Sequence, residues 1–255
     1  MIETKKSFDA TEYKDKIVGW IRDWFAANGP NCKAVIGISG GKDSTVVAGL
    51  CVEALGKDRV VGVLMPNGHQ EDYHDAVRVC LALGIDFTTH SIHEPYNAII
   101  SNMESPIDGN MYGVTASEQT KINLAPRLRM AMLYAISQTI GGRVACTDNL
   151  SESYIGYSTR WGDNVGDFAP LASLTATEVI AIGDALGLPQ DLVHKTPSDG
   201  LCGKTDEDNF GFTYDQLDAH IRLGTCGDDD IDELIKEKHA KNLFKRVILP
   251  TPYIV

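Results

Sequence analysis

Apolar residues Tyr13, Ile17, Ile21, Trp24 and Phe25 recur at intervals of one helical turn, and Asn28-Gly29-Pro30 ends the run. This spacing predicts an amphipathic helix over 13–27, because one helical face collects all five side chains. The pattern then changes to a short apolar run over 33–38, typical of a strand buried on both faces. A helix is predicted over 44–55, closed by Gly56, and a second strand over 59–65. A helix over 71–83, closed by Gly84, precedes a third strand over 85–92. A long helical pattern covers 117–140. Pro126 predicts a kink or a restart within it, because proline has no N–H to donate and its ring crowds the preceding turn. A fourth strand is predicted over 143–147.

Strands alternating with helices of this length predict an α/β fold. The expected architecture is a parallel sheet flanked by helices, Rossmann-like, with right-handed crossovers. Ligands of such sheets sit beyond the carboxyl ends of the strands, where residues 38–44 and 146–148 fall. The last third is less regular. Residues 160–175 form a glycine- and aspartate-rich loop longer than a simple connection requires. Thr175 and Glu178 then form a capping box that opens a helix, and 212–221 and 230–242 are further helical segments. No repeat, low-complexity tract or linker divides the chain, so one domain over 1–255 with helical additions is expected.

The chain has 255 residues, and its 43% hydrophobic content is ordinary for a globular protein. No apolar run reaches the length of a membrane span, and residues 1–16 hold no hydrophobic segment of secretory type. A cytoplasmic location is the expectation. Six cysteines without a C-x-x-C pair read as reduced thiols, neither a disulfide framework nor a zinc site. The balance of 23 Lys and Arg against 35 Asp and Glu gives a net charge of −12. That disfavours broad contact with nucleic acid or an anionic membrane, and neither is an expected partner.

The candidate chemistry begins at Ile38-Ser39-Gly40-Gly41-Lys42-Asp43-Ser44-Thr45, between the first strand and its helix. It is not the usual P-loop, since Ile36 stands where the first glycine belongs and Asp43 follows Lys42 in place of a hydroxyl. A strand, a glycine turn and a helix N-terminus still present N–H groups and a positive dipole end to an anion. Ser39 and Ser44 add hydroxyls, Lys42 adds charge, and Gly40 and Gly41 allow close backbone approach. Phosphate would repel Asp43 unless a cation lay between them, which points to a Mg²⁺ ligand. The plain alternative is a serine-capped glycine turn that binds nothing.

The Ser-Gly-Gly-x-Asp-Ser loop resembles that of the N-type ATP pyrophosphatases, which cleave ATP between its α and β phosphates. Several further segments, in order, resemble the NAD synthetases of that superfamily. These are residues 64–76, Asn123-Leu124-Ala125-Pro126-Arg127-Leu128-Arg129-Met130, and Cys146-Thr147-Asp148 through Glu152. Residues 162–175, 196–208 and the tail 244–252 complete the set. Pro126 is inserted between the motif's alanine and arginine, and Cys146 replaces a glycine.

The resemblance implies ATP-dependent amidation of nicotinic acid adenine dinucleotide (deamido-NAD) to NAD with ammonia, through an acyl-adenylate, releasing AMP and pyrophosphate. Glutamine-using members carry an additional amidase domain for which 255 residues leave no room, so ammonia is the expected nitrogen donor. By the match, ATP would meet Gly37, Ile38, Ser39, Gly40, Gly41, Lys42, Asp43, Ser44, Thr147 and Ser198. Lys42, Asp43 and Thr147 are the catalytic candidates among them, and Asp43 and Glu152 would hold Mg²⁺. Arg127, Arg160, Asp167 and Lys245 would hold deamido-NAD, and a homodimer is implied with the 123–140 helix as a candidate interface element. Each role has a plainer alternative. Arg127 could pair with a surface acid, Glu152 could favour a helix N-terminus, and Thr147 could cap a helix.

Three positions depart from the family pattern. Arg160 stands for a common lysine, Ala176 for an ATP-contacting lysine, and Phe244-Lys245 for a His-Lys pair. Lys42 is expected to supply the missing charge at the phosphates, and Phe244 to serve as packing. Residues 160–175 and 198–208 are expected to act as lids that keep water from the adenylate. His90 and His93 read as structural or surface residues, Met130 and Met132 as core filling, and the acidic run 227–233 as a solvated helix start. A tRNA-modifying relative lacks the support of any basic module, and a non-catalytic nucleotide sensor is favoured only by Ala176 and Phe244.

Overall fold

A computed structural model describes residues 8–70, 72–105, 114–195 and 205–246. Helix α1 (Ala10–Asn28) is capped by Asp9, whose carboxylate accepts from the Glu12 N–H, and it buries Val18, Ile21 and Phe25. Strand β1 (Lys33–Gly37) leads into α2 (Lys42–Leu55), and β2 (Val60–Leu64) into α3 (Tyr73–Leu83). Strand β3 (Asp86–Thr89), helices α4 (His93–Glu104) and α5 (Glu118–Ile140), and strand β4 (Gly142–Val144) follow.

The strands form a parallel sheet in the order β3-β2-β1-β4, with Ala34 of β1 opposite Val60 on one side and Arg143 on the other. Alternation along β1 explains why its run is apolar throughout. Ala34 and Ile36 join the cluster containing Ile21, Phe25, Val47 and Leu50, while Val35 packs with Val63, Ile92, Ala125 and Leu133 on the opposite face. Burying each large aliphatic side chain contributes about 1.5–3 kcal/mol. From β1 the chain builds outward to β2 and β3, then returns to place β4 on the other flank. A crevice opens at that switch point, beyond the carboxyl ends of β1 and β4.

Helices α6 (Leu150–Ile155), α7 (Ala176–Ala185) and α8 (Gln190–Val193) follow, then α9 (Asp206–Phe210), α10 (Tyr214–Leu223) and α11 (Asp229–Asn242). A second apolar cluster of Ile155, Ala176, Phe210, Phe212, Leu217 and Ile235 binds these late helices together. The α7 capping box forms as expected, with Glu178 Oε2 accepting from the Thr175 N–H at 2.9 Å.

Several expectations need adjustment. Helix α5 runs through Pro126 as one element, capped by Ser117, so the chain does not restart there. Helix α2 begins at Lys42, which makes Lys42 and Asp43 first-turn residues. Strand β4 is shorter than expected because Ala145 forms an isolated bridge to Phe168, drawing the 160–175 loop onto the sheet. Met132 packs beneath the sheet, but Met130 faces a cavity. The acidic run is not wholly solvated, since Asp232 is buried and its Oδ1 lies 2.7 Å from His220 Nδ1. His90 bonds Thr88, and His93 bonds Asn67 and Asn97, as structural residues do. The described cysteines are free thiols, and burial pushes Cys146 up to about 12; Cys202 lies outside the described residues.

Candidate active site

The glycine loop is shaped from within. Ser39 Oγ accepts from the Gly41 N–H at 3.2 Å, and Ser44 Oγ accepts from the Ser39 N–H at 3.3 Å. Thr45 Oγ1 donates to the Gly41 carbonyl at 2.8 Å. Gly40 has φ +85°, and a Cβ there would stand 2.8 Å from the Asp72 carbonyl oxygen and 2.9 Å from the Ala76 nitrogen. Glycine is therefore required both by conformation and by the closeness of α3.

Beyond the loop lies a cavity of about 330 Å³ at the β1–β4 switch point. Gly37, Ile38, Ser39, Gly41, Lys42 and Asp43 line one side, and Thr147 and Glu152 the other. Gly40 and Ser44 belong to the loop without lining the cavity. Ser198 lies outside the described residues. The cavity is also lined by Asp72, Arg129, Asp163, Lys195 and Asp206, to which the sequence assigns no role, although all but Lys195 fall in the segments that resemble the family.

The carboxylate corner is organised by Asn149, which is fully buried. As the cap of α6, its Oδ1 accepts from the Glu152 N–H at 3.0 Å, and its own N–H donates to Glu152 Oε2 at 3.3 Å. The remaining amide, Nδ2, donates to Asp43 Oδ1 at 3.0 Å. One residue thus fixes two acids from the first turns of different helices, α2 and α6. An Asn-x-x-Glu capping box is readable in a sequence, and that signal could have singled out Asn149.

Lys42 faces the other oxygen of Asp43, with Nζ 2.7 Å from Oδ2 and a side chain only 3% exposed. Burial opposes its charge, but the Asp43 carboxylate, with Glu152 and Asp206 nearby, more than offsets this and holds its pKa above the ordinary lysine value. The ammonium also lies 5.3 Å from the centre of the Tyr214 ring, a cation–π contact, and Tyr214 Oη donates to Asp206 Oδ2 at 3.1 Å. Ala176 packs in the same apolar cluster as Tyr214. Burial, reinforced by the negative charge of Asp43, pushes the Glu152 carboxyl well above the usual carboxylate range. Asp148 is pushed up to about 8 by burial and by Asp163, and its Oδ2 is buried without a hydrogen-bond partner among the described residues.

Crowded carboxylates of this kind suit a hard cation. Mg²⁺ is commonly held by one or two carboxylates together with phosphate oxygens, and Asp43 and Glu152 facing one cavity fit that pattern. Among the described residues no group of three or more His, Cys, Asp and Glu side chains forms a metal cage.

A second cavity of about 260 Å³ is lined by Ser153, Gly156, Ser158, Arg160, Trp161, Asn164, Lys245 and Arg246. Arg160 lies 5.0 Å from the Trp161 ring and 5.6 Å from that of Phe244. Phe244 is 54% exposed, so it does not serve as core packing. Lys245 Nζ donates to the carbonyls of Gly156 at 2.6 Å and Ser158 at 3.0 Å. Arg127 lines neither cavity; its Nε donates to the Arg160 carbonyl at 3.2 Å. Asp167 also stands apart, with Oδ2 accepting from the Val144 N–H at 2.8 Å and so extending the sheet edge.

The chain is similar to known proteins over most of its length. The family model described as NAD synthase matches residues 13–249. An NH(3)-dependent NAD(+) synthetase of Alkaliphilus metalliredigens is 35% identical over 243 residues, 94% of this chain and 97% of the relative. The solved NMN synthetase of Francisella tularensis superposes with a TM-score of 0.87 at 34% identity, covering 97% of this chain and all of that one. The NH3-dependent NAD synthetase of Campylobacter jejuni superposes with a TM-score of 0.76 at 27% identity, covering 98% of this chain and 100% of that one.

Proposed function

The chain belongs to the NAD synthase family, and on that premise we propose that it amidates nicotinic acid adenine dinucleotide to NAD with ATP and ammonia. The observation that carries the reading is the cavity at the sheet's switch point, where the glycine loop meets Thr147 and Glu152. A carboxylate is a poor acyl electrophile. Its oxygen attacks the α-phosphorus of ATP, an O–P bond forms, and the bond to the β-phosphate breaks as pyrophosphate leaves. Ammonia then attacks the acyl carbon, the bond to AMP breaks with its electron pair, and the nitrogen loses a proton.

The loop Gly37–Ser44 holds the β and γ phosphates through backbone N–H groups that need no rearrangement as charge moves onto the leaving group. Thr147 meets ATP at the end of β4. Bound by Asp43 and Glu152, Mg²⁺ would neutralise charge on the polyphosphate. The second cavity, with Arg160 and Lys245, receives part of the dinucleotide, while Arg127 holds its wall through the Arg160 carbonyl and Asp167 braces Val144 beside the main cavity. Ser198 completes the ATP contacts.

One domain over 1–255 is consistent with the family match across 13–249. The active form we propose is a homodimer joined through α5, whose Ile122 and Ile140 are exposed. No helix among the described residues is long and apolar enough to cross a membrane, and we propose a cytoplasmic enzyme.

A second reading keeps the chemistry and shortens the substrate. The likeness to an NMN synthetase, with a TM-score of 0.87 against 0.76, favours a mononucleotide acceptor. A product assay with ATP, Mg²⁺ and ammonium, supplied in parallel with the deamido dinucleotide or mononucleotide, separates the two. Equal amounts of AMP and NAD, with the larger kcat/KM for the dinucleotide, are expected. A larger kcat/KM for the mononucleotide would support the second reading, and ATP binding without AMP release would overturn both.

A further inference from the structure

Lys42 occupies an unusual place for a lysine in a phosphate loop. Its ammonium is buried against Asp43 Oδ2 at 2.7 Å, faces the Tyr214 ring at 5.3 Å, and has the charges of Glu152 and Asp206 beside it. Asn149 meanwhile holds the other Asp43 oxygen and the Glu152 carboxylate. Lys42 is thus a fixed cation paired with Asp43, with the carboxyls of Glu152 and Asp206 nearby, in the corner where a divalent ion would bind.

We propose that Lys42 is a tethered counter-cation for the Asp43–Glu152 pair, holding the acids in place until a divalent ion takes Asp43 from it. The inference rests on the reading of Asp43 and Glu152 as metal ligands and deepens it. Lys42 acts through those ligands, so it is a positioning residue. Without a cation, the Asp43 charge would stand uncompensated in a buried corner, beside the Glu152 carboxyl held by the same asparagine. The lysine compensates that charge in the empty enzyme. It also competes for Asp43, so metal entry must displace it. Once released, its ammonium lies at the first turn of α2, next to the polyphosphate site. The charge that the family pattern has at the Ala176 position would reach the phosphates only after the metal has bound.

Mn²⁺ binding to the nucleotide-free protein, followed by electron paramagnetic resonance, tests this without relying on turnover. Lys42→Gln and Lys42→Met are expected to bind Mn²⁺ about tenfold more tightly than wild type, while Lys42→Arg stays within about threefold of it. If either neutral variant fails to fold without metal, its unfolding midpoint is followed as Mn²⁺ is added; rescue supports the inference and no rescue overturns it. Asp43→Asn is the control. Loss of Mn²⁺ binding in Asp43→Asn, with unchanged or weaker binding in the folded neutral variants, overturns the Lys42 inference alone. Unchanged binding in Asp43→Asn overturns the metal assignment, and the inference with it.

Discussion

The side-chain amide of Asn149 donates to Asp43 Oδ1 at 3.0 Å, joining the cap of α6 to the first turn of α2. The same residue closes the capping box with Glu152. Asn149→Ala should destabilise the fold by about 1–3 kcal/mol, the cost of unsatisfied buried groups and a lost cap. It should also raise the Mg²⁺ concentration needed for half-maximal turnover, because the two acids lose their common anchor. Urea unfolding and a Mg²⁺ titration of the rate check both halves. An unchanged Mg²⁺ requirement would mean that Asn149 serves stability alone.

Gly40 touches α3 through its backbone at φ +85°. Gly40→Ala places a methyl group against the Asp72 carbonyl and the Ala76 nitrogen, neither of which can move without shifting a helix. The expected loss is about 2 kcal/mol or more, from left-handed strain and overlap together. KM for ATP should rise with it, and calorimetry of ATP binding would detect the change.

Asp232 links α10 to α11. Hydrogen bonds from Thr225 Oγ1, from His220 and from the Cys226 N–H hold its carboxyl well below the usual carboxylate range. A depressed folded-state pKa means stability that is present above the unfolded carboxylate pKa and lost as pH falls through the folded one. Asp232→Asn should therefore be less stable at neutral pH and show a flatter acid limb in its unfolding midpoint. Midpoints measured from pH 7 downward decide the matter; parallel curves for the two proteins would count against this role.

Lys245 braces the second cavity by donating to the Gly156 and Ser158 carbonyls. Lys245→Ala is expected to raise KM for deamido-NAD about tenfold while KM for ATP stays within about twofold, since the lysine lines only the second cavity. Equal changes in both KM values would show that the two cavities do not divide the substrates in this way.

The parts of the fold that were legible in advance owe this to burial. Strands covered on both faces must be apolar along their whole length, so β1 and β2 stand out, while edge strand β3 is mostly exposed and is shorter than its sequence pattern suggests. Helix α4 has no fully buried residue and left no periodic signal. The glycine loop could be read because its working groups are contiguous. Tyr214 and Asp206 reach Lys42 only through tertiary packing, and no local pattern marks them. The Lys42–Asp43 contact was also hidden, because neighbours in a helix ordinarily point apart.

Lys42, Arg129 and Lys195 stand on the wall of the main cavity, inside a chain whose net charge is −12. An arriving nucleotide anion is therefore repelled at long range, whereas inside the cavity it meets these cations interleaved with Asp43, Asp72, Glu152, Asp163 and Asp206. Mobile ions screen the first effect more than the second, since distant charges are lost beyond a Debye length of about 8 Å at physiological salt while enclosed ones are not. Moderate salt should then quicken the encounter with ATP, the reverse of the usual behaviour of an enzyme that steers its substrate by its overall field.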